Sequence, residues 1–316
     1  MVSETEPSSP QAAAPGARTG TDSGTAGPGR LRDSPALIAW IALLLTPVGI
    51  YWRLFTGRPT MPLGVALGGL AVLVAFAVVA LRIEAVRPLR AFLLTVVALG
   101  AGTLVVFLVE RSGPWVRWAA RTSYPKVVFA DSGLESIPCL LMAAVLLARG
   151  FRRRDLFVAV GNLRARAGLP FTERGTTWVW LGLLGTVVFA GPLALQLNAT
   201  VHPDFGMAGR AVAALPAALA FGAFNAAQEE FRFRAAFLAT LVPAVGSMQA
   251  ALMTSALFGF AHSYGHPSGP VGVGLTFAAG FLLAKSMLDT RGSGWAWFMH
   301  AVQDVVIFGF LVMAAH

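Results

Sequence analysis

Along most of this chain, stretches of about 20 apolar residues follow one another with almost no charge inside them, and that pattern fixes the solvent first. A hydrocarbon core roughly 30 Å thick takes about that many helical residues per crossing. Hydrophobic residues make up 56% of the 316 and charged residues 12%, a balance that soluble domains do not show. Backbone groups facing lipid must be satisfied within their own segment, and nothing alternates with the period of two that a barrel strand needs. The fold class that follows is all-α, a polytopic transmembrane helix bundle of about eight to nine spans. The runs read as nine, at 36–55, 62–81, 91–109, 127–148, 177–197, 211–241, 244–262, 271–288 and 295–315.

The formal net charge of +9 is distributed between these runs instead of forming one patch, so it reads as membrane topology and points to no nucleic-acid partner. The most basic connector, 149–174, carries Arg152, Arg153, Arg154, Arg164 and Arg166, and the positive-inside rule puts it in the cytoplasm. Alternation then places the N-terminus inside and the C-terminus outside, with Arg111, Arg117, Arg121 and Lys126 as the main exceptions. All eight tryptophans fall near span ends or between spans, where an amphipathic ring settles at the headgroups. Cys139 is the sole cysteine, which excludes an internal disulfide and reads as a buried packing thiol.

Three segments follow. Residues 1–35 are rich in Pro, Gly, Ser, Thr and Ala and read as a disordered tail without the apolar core of a cleaved signal peptide. Residues 36–174 hold the N-terminal spans and the basic connector, and 175–316 hold the spans that carry chemistry. Only Lys126 and Lys285 are lysines among 24 basic residues, in a chain rich in Ala and Gly. That usage suits a GC-rich bacterial genome and hence a multi-pass protein of the plasma membrane.

Ionisable groups inside spans are costly and by default mark function. The first cluster is Gln228-Glu229-Glu230-Phe231-Arg232-Phe233-Arg234. Glu230 and Arg234 lie four apart, acid first, so they share a helical face and can cancel their charges. This leaves Glu229 free, and a carboxylate that is expensive to keep charged at membrane depth is suited to taking and returning a proton. The second cluster is Phe258-Gly259-Phe260-Ala261-His262, where His262 read alone is a hydrogen-bonded packing residue. The third, His300-Ala301-Val302-Gln303-Asp304, again sets imidazole and carboxylate four apart. Such a pair can orient a histidine tautomer, supply two metal ligands or simply satisfy itself internally.

Taken together, Glu229-Glu230-x-x-x-Arg234, Phe258-x-x-x-His262 and His300-x-x-x-Asp304, each on its own span and in this order, resemble the CAAX protease and bacteriocin-processing family, also called the ABI family. The resemblance covers roughly 211–315, including the turn Arg291-Gly292-Ser293-Gly294-Trp295 that leads into the last motif. What it implies is a glutamate intramembrane endopeptidase that cuts a membrane-associated or lipidated (CAAX-type) peptide or protein with an activated water and no cofactor. Carried over, Glu229 is the general base, His262 helps hold the water and His300 stabilises the oxyanion. Glu230, Arg234 and Phe258 support the site. The family's fourth position is commonly asparagine and here is Asp304, whose ionised carboxylate cannot donate to an oxyanion. It is then protonated, orients His300 or marks a changed activity.

Amide hydrolysis independently asks for a base, a donor for developing charge and shelter from bulk water, which a carboxylate and two imidazoles between helices can supply. Zinc is the competing reading, with Glu229, His262, His300 and Asp304 as ligands in an intramembrane metalloprotease-like site, although no His-Glu-x-x-His helix is present. Two other function classes stay open: a non-catalytic immunity or scaffold protein of the same frame, and a proton-coupled transporter using Glu229 as relay.

Several further residues are read as peripheral. Asp131 and Glu135 sit at the outer interface beside Lys126, or else line a polar mouth of the site. Asn225 and Gln228 hydrogen-bond between helices. His202, His266 and His316 are solvated, and Asn198-Ala199-Thr200 matches a glycosylation acceptor that matters only in a eukaryotic secretory membrane. Strict alternation of spans puts Glu229 and His300 toward the cytoplasmic leaflet and His262 near the outer end of its helix, so the three do not fall at one depth without tilt or a shifted helix boundary.

Overall fold

The computed structural model describes residues 35–169, 172 and 175–314, which are helical almost throughout. Residues 1–34 of the predicted disordered tail, Arg174 and His316 lie outside the described residues, whereas Pro35 opens a helix. Among the described residues the only strand-like feature is an isolated bridge between Arg166 and Thr177 in the basic connector. The helices run α1 (Pro35–Leu44), α2 (Val48–Thr56), α3 (Leu63–Ala80), α4 (Arg90–Glu110), α5 (Gly113–Ala119), α6 (Tyr124–Leu134) and α7 (Ser136–Ala148) before the connector. After it come α8 (Trp178–Val201), α9 (Ala208–Ala213), α10 (Leu215–Glu230), a π-turn (Phe231–Ala235), α11 (Ala236–Val245), α12 (Ser247–Ala261), α13 (Gly269–Thr290) and α14 (Gly294–Ala314).

The count of nine full crossings needs correction. Among the described residues six helices are long and apolar enough to span, or eight if two bent pairs each cross once. The first predicted span breaks by 59° between α1 and α2, where Pro47 cannot continue the preceding turn. The sixth is a rod, Leu215–Val245, bent by 71° from the short helix before it, and Pro216 opens its first turn. The seventh, α12, has only 15 residues.

A bilayer inverts the usual surface rule, and the helices show it: Leu140, Val187 and Leu195 point outward and exposed. Inside, an apolar core joins α1, α4, α7, α11, α12 and α13, with Phe92 set edge-on to Phe237 at 5.7 Å. The connector folds back on the end of α13. Asp289 accepts from the Gly168 backbone at 2.9 Å and the Trp178 indole at 3.1 Å while pairing with Lys285 at 2.7 Å.

Two glycines set the geometry that matters later. Gly246, at φ 81° and ψ 162°, turns the chain between α11 and α12 in a conformation open essentially to glycine alone. Gly222 lets α10 lie against α14, since a Cβ there would stand 2.7 Å from the Ala301 carbonyl oxygen and 3.1 Å from Val305 Cγ2. The two helices run antiparallel, as the pairings Phe221 with Phe308 and Asn225 with Asp304 show.

Gly222→Ala is expected to destabilise the protein by about 1–3 kcal/mol, because an overpacked contact must shift backbone. Gly68→Ala meets open space and serves as the control. Thermal unfolding in detergent micelles checks this, and equal midpoints for the two variants would contradict the close α10–α14 approach.

Candidate active site

The depth conflict disappears once the Gly246 corner is in place. Counted from that glycine, Glu229 lies 17 residues back along the rod and His262 lies 16 residues forward along α12. At about 1.5 Å of rise per residue the arms are equal, so His262 returns to the level of Glu229. The antiparallel run of α14 against α10 brings His300 to the same level from the other side. Strict alternation failed because α12 is a short returning arm and not a full crossing.

At that level His300 is ringed by carboxylates. Its Nδ1 lies 2.6 Å from Glu230 Oε1, and its Nε2 lies 3.5 Å from Glu229 Oε2 and 3.7 Å from Asp304 Oδ1. An imidazole can serve acceptors at both nitrogens only when each carries a hydrogen. Asp304 in turn accepts at Oδ2 from the Asn225 amide at 3.1 Å. The expected Glu230–Arg234 pair forms, fully buried, and the Arg234 guanidinium lies 4.0 Å from the centre of the Phe258 ring. Phe258 meets His262 edge-on at 4.5 Å and His300 at 5.7 Å, so one ring packs against both imidazoles.

His262 Nδ1 is 2.9 Å from the Phe258 carbonyl, which can only accept. In the neutral ring that bond leaves the lone pair on Nε2. His262 lines two cavities that meet at this level. One is a polar recess of about 400 Å³, lined also by Glu229, Asp304, Asp131 and Glu135. The other is an apolar slot of about 70 Å³ bounded by Leu193, Phe258, Leu283, Met299 and His300. Glu229 borders only the first of these and His300 only the second, whereas His262 and Asp304 line both.

One sequence expectation changes here and two are sharpened. Glu229 is not free: besides His300, Arg232 Nη2 stands 3.7 Å from its Oε1. Of the two surroundings read for Asp131 and Glu135, the polar mouth is the one seen, because both line the recess and Glu135 pairs tightly with Arg232. His266, although exposed, borders both cavities. The interhelical reading of Asn225 and Gln228 holds, with Gln228 Nε2 donating to Ser132 Oγ at 2.7 Å and Ser132 to Asn225 at 3.0 Å. Cys139 is buried and donates weakly to the Gln228 carbonyl at 3.4 Å.

Sequence reasoning passed over Arg232, Ser132 and Glu110, which also borders the recess. A signal for this side was present in Asp131 and Glu135, two acids four apart inside an apolar run. Among the described residues no group of three or more His, Cys, Asp or Glu side chains is placed to hold a metal ion.

Residues 211–306 match a family model described as Type II CAAX prenyl endopeptidase Rce1-like. No curated protein and no solved structure matches the chain. The matched segment holds Glu229, Glu230, Arg234, Phe258, His262, His300 and Asp304, the residues gathered at this one level. The similarity to CAAX prenyl endopeptidases thus extends over residues 211–306 of a multi-pass membrane protein.

Proposed function

We propose that this protein is an intramembrane endopeptidase in which Glu229 activates water against a peptide bond held between the polar recess and the apolar slot. The observation that carries the reading is the placement of a carboxylate on the wet side and an imidazole on the dry side, with His262 and Asp304 shared between them. Water in the recess loses a proton to Glu229 as its oxygen attacks the carbonyl carbon. His262, with its Nε2 lone pair free, helps hold that water. The carbonyl oxygen gains negative charge and meets an N–H of His300. Collapse of the tetrahedral intermediate breaks the C–N bond, and the proton on Glu229 passes to the leaving amine.

Asp304 then orients His300 and balances its charge instead of donating to the oxyanion, while Asn225 holds Asp304 in place. The buried Glu230–Arg234 pair holds His300 from its other nitrogen. A substrate suited to this site presents a polar backbone next to an apolar or lipidated stretch, because the two cavities differ in that way. The site of action on this reading is a cell membrane.

Glu229→Gln is expected to abolish cleavage of a lipidated CAAX-type peptide by the reconstituted protein while leaving its thermal unfolding unchanged; full cleavage by that variant would refute the mechanism. His262→Ala and His300→Ala are expected to lower kcat by roughly 10²-fold or more. Turnover should persist after dialysis against a strong chelator. Loss on dialysis that zinc restores would replace the metal-free mechanism with the metal-dependent one.

A further inference from the structure

Glu135 lies outside the matched segment, on a helix junction 94 residues upstream of Glu229, yet its side chain enters the recess. The group it meets there is Arg232, which is buried and sits three residues past Glu229 on the π-turn. We infer that Glu135 is a positioning residue that holds the Arg232 guanidinium off Glu229, keeping Glu229 able to accept a proton. This rests on the reading of Glu229 as the base.

Spacing of three along a helix makes Glu229 the default partner of Arg232, and a carboxylate in a tight charged pair binds a proton poorly. The structure shows that default weakened by a second acceptor. Arg232 Nη1 is in tight contact with Glu135 Oε2, whereas its Nη2 stays 3.7 Å from Glu229 Oε1. The remaining face of the guanidinium lies 4.7 Å from the centre of the Phe233 ring, and Arg232 Nε has no acceptor. Two carboxylates thus compete for one buried cation, and the one from the α6–α7 junction has the closer contact.

Glu135 is held where this competition requires. Its N–H donates to Asp131 O at 3.0 Å and its carbonyl accepts from Cys139 Sγ at 3.5 Å. One turn earlier, Ser132 is bound by Gln228 of α10 at 2.7 Å, so the junction is fastened to the helix that carries Glu229. A role of this kind explains why a buried arginine is tolerated beside a general base. It also makes the N-terminal helices part of the site instead of a separate anchor.

The test compares five full-length variants in liposomes on one lipidated peptide: Glu229→Gln, Glu135→Gln, Glu135→Asp, Arg232→Gln and the Glu135→Gln/Arg232→Gln double. Glu135→Gln should lower kcat by on the order of tenfold or more with KM nearly unchanged, because the lost step is proton transfer. Glu135→Asp should keep most of the activity, and Arg232→Gln should lose less than Glu135→Gln. The double variant, with both charges gone, should recover to within a few-fold of wild type, which a merely structural role of Glu135 would not produce.

Wild-type kcat in Glu135→Gln, or a folded double as slow as Glu135→Gln, overturns the inference while the Glu229 mechanism stands. If Glu135→Gln does not fold, the double decides: Glu229-dependent turnover in it supports the inference, and its absence overturns it. Cleavage by Glu229→Gln at the wild-type rate removes both readings, and so is distinguishable from failure of this one alone.

Discussion

The buried contact of Glu230 with Arg234 is the constraint on which the rest of this structure depends. Both side chains are withdrawn from solvent in a frame built to face hydrocarbon, and either charge alone would be prohibitive there. Pairing makes them tolerable, and their remaining capacity orders their surroundings. Glu230 takes His300 Nδ1, and Arg234 lies over Phe258 and reaches the Gly280 carbonyl at 3.4 Å. The pair thereby joins α10, α12, α13 and α14 at a single level. Apolar packing alone, being non-directional, would allow those helices to slide; a hydrogen-bonded charge cluster does not.

Around this cluster the chemistry is separated by side. The π-turn at Phe231–Ala235 carries two arginines that leave the rod in different directions, Arg232 toward the α6–α7 junction and Arg234 toward α13. Such turns interrupt helices most often where function requires an altered side-chain direction. Here the interruption follows directly after the two glutamates, so neighbouring carboxylates acquire unlike environments: Glu230 almost fully enclosed, and Glu229 open to a polar recess. That difference is what allows one to serve as a fixed counter-charge and the other as a candidate proton acceptor.

Membrane character, helical class and the Glu230–Arg234 pairing were legible from the sequence, because each rests on local rules: run length, period and a spacing of four. The gathering of Glu229, His262 and His300 was legible only as a resemblance. Their common depth depends on the corner at Gly246, and hydropathy treats the run after it as a full crossing when it is a short return. Proline at 47 and 216 marked the other two departures, yet apolar runs conceal a bend because lipid-facing composition continues through it. The contact between Glu135 and Arg232 spans 97 residues, and no local pattern states which face of α6 turns inward. Asp131 and Glu135 were visible as a pair of acids, and for that reason the outer interface and the polar mouth of the site both stayed open for them.

The brevity of α12 has a consequence for the lipid around it. Fifteen residues extend about 22 Å, short of a hydrocarbon slab of roughly 30 Å. Such a mismatch is met by local thinning of the bilayer or by headgroups drawn inward. Either response lowers the aqueous boundary toward the 262–268 loop that borders the polar recess. Hydrolysis within a membrane needs a supply of its second reactant, and a dimple in the surface beside this helix would furnish one without a pore through the bundle.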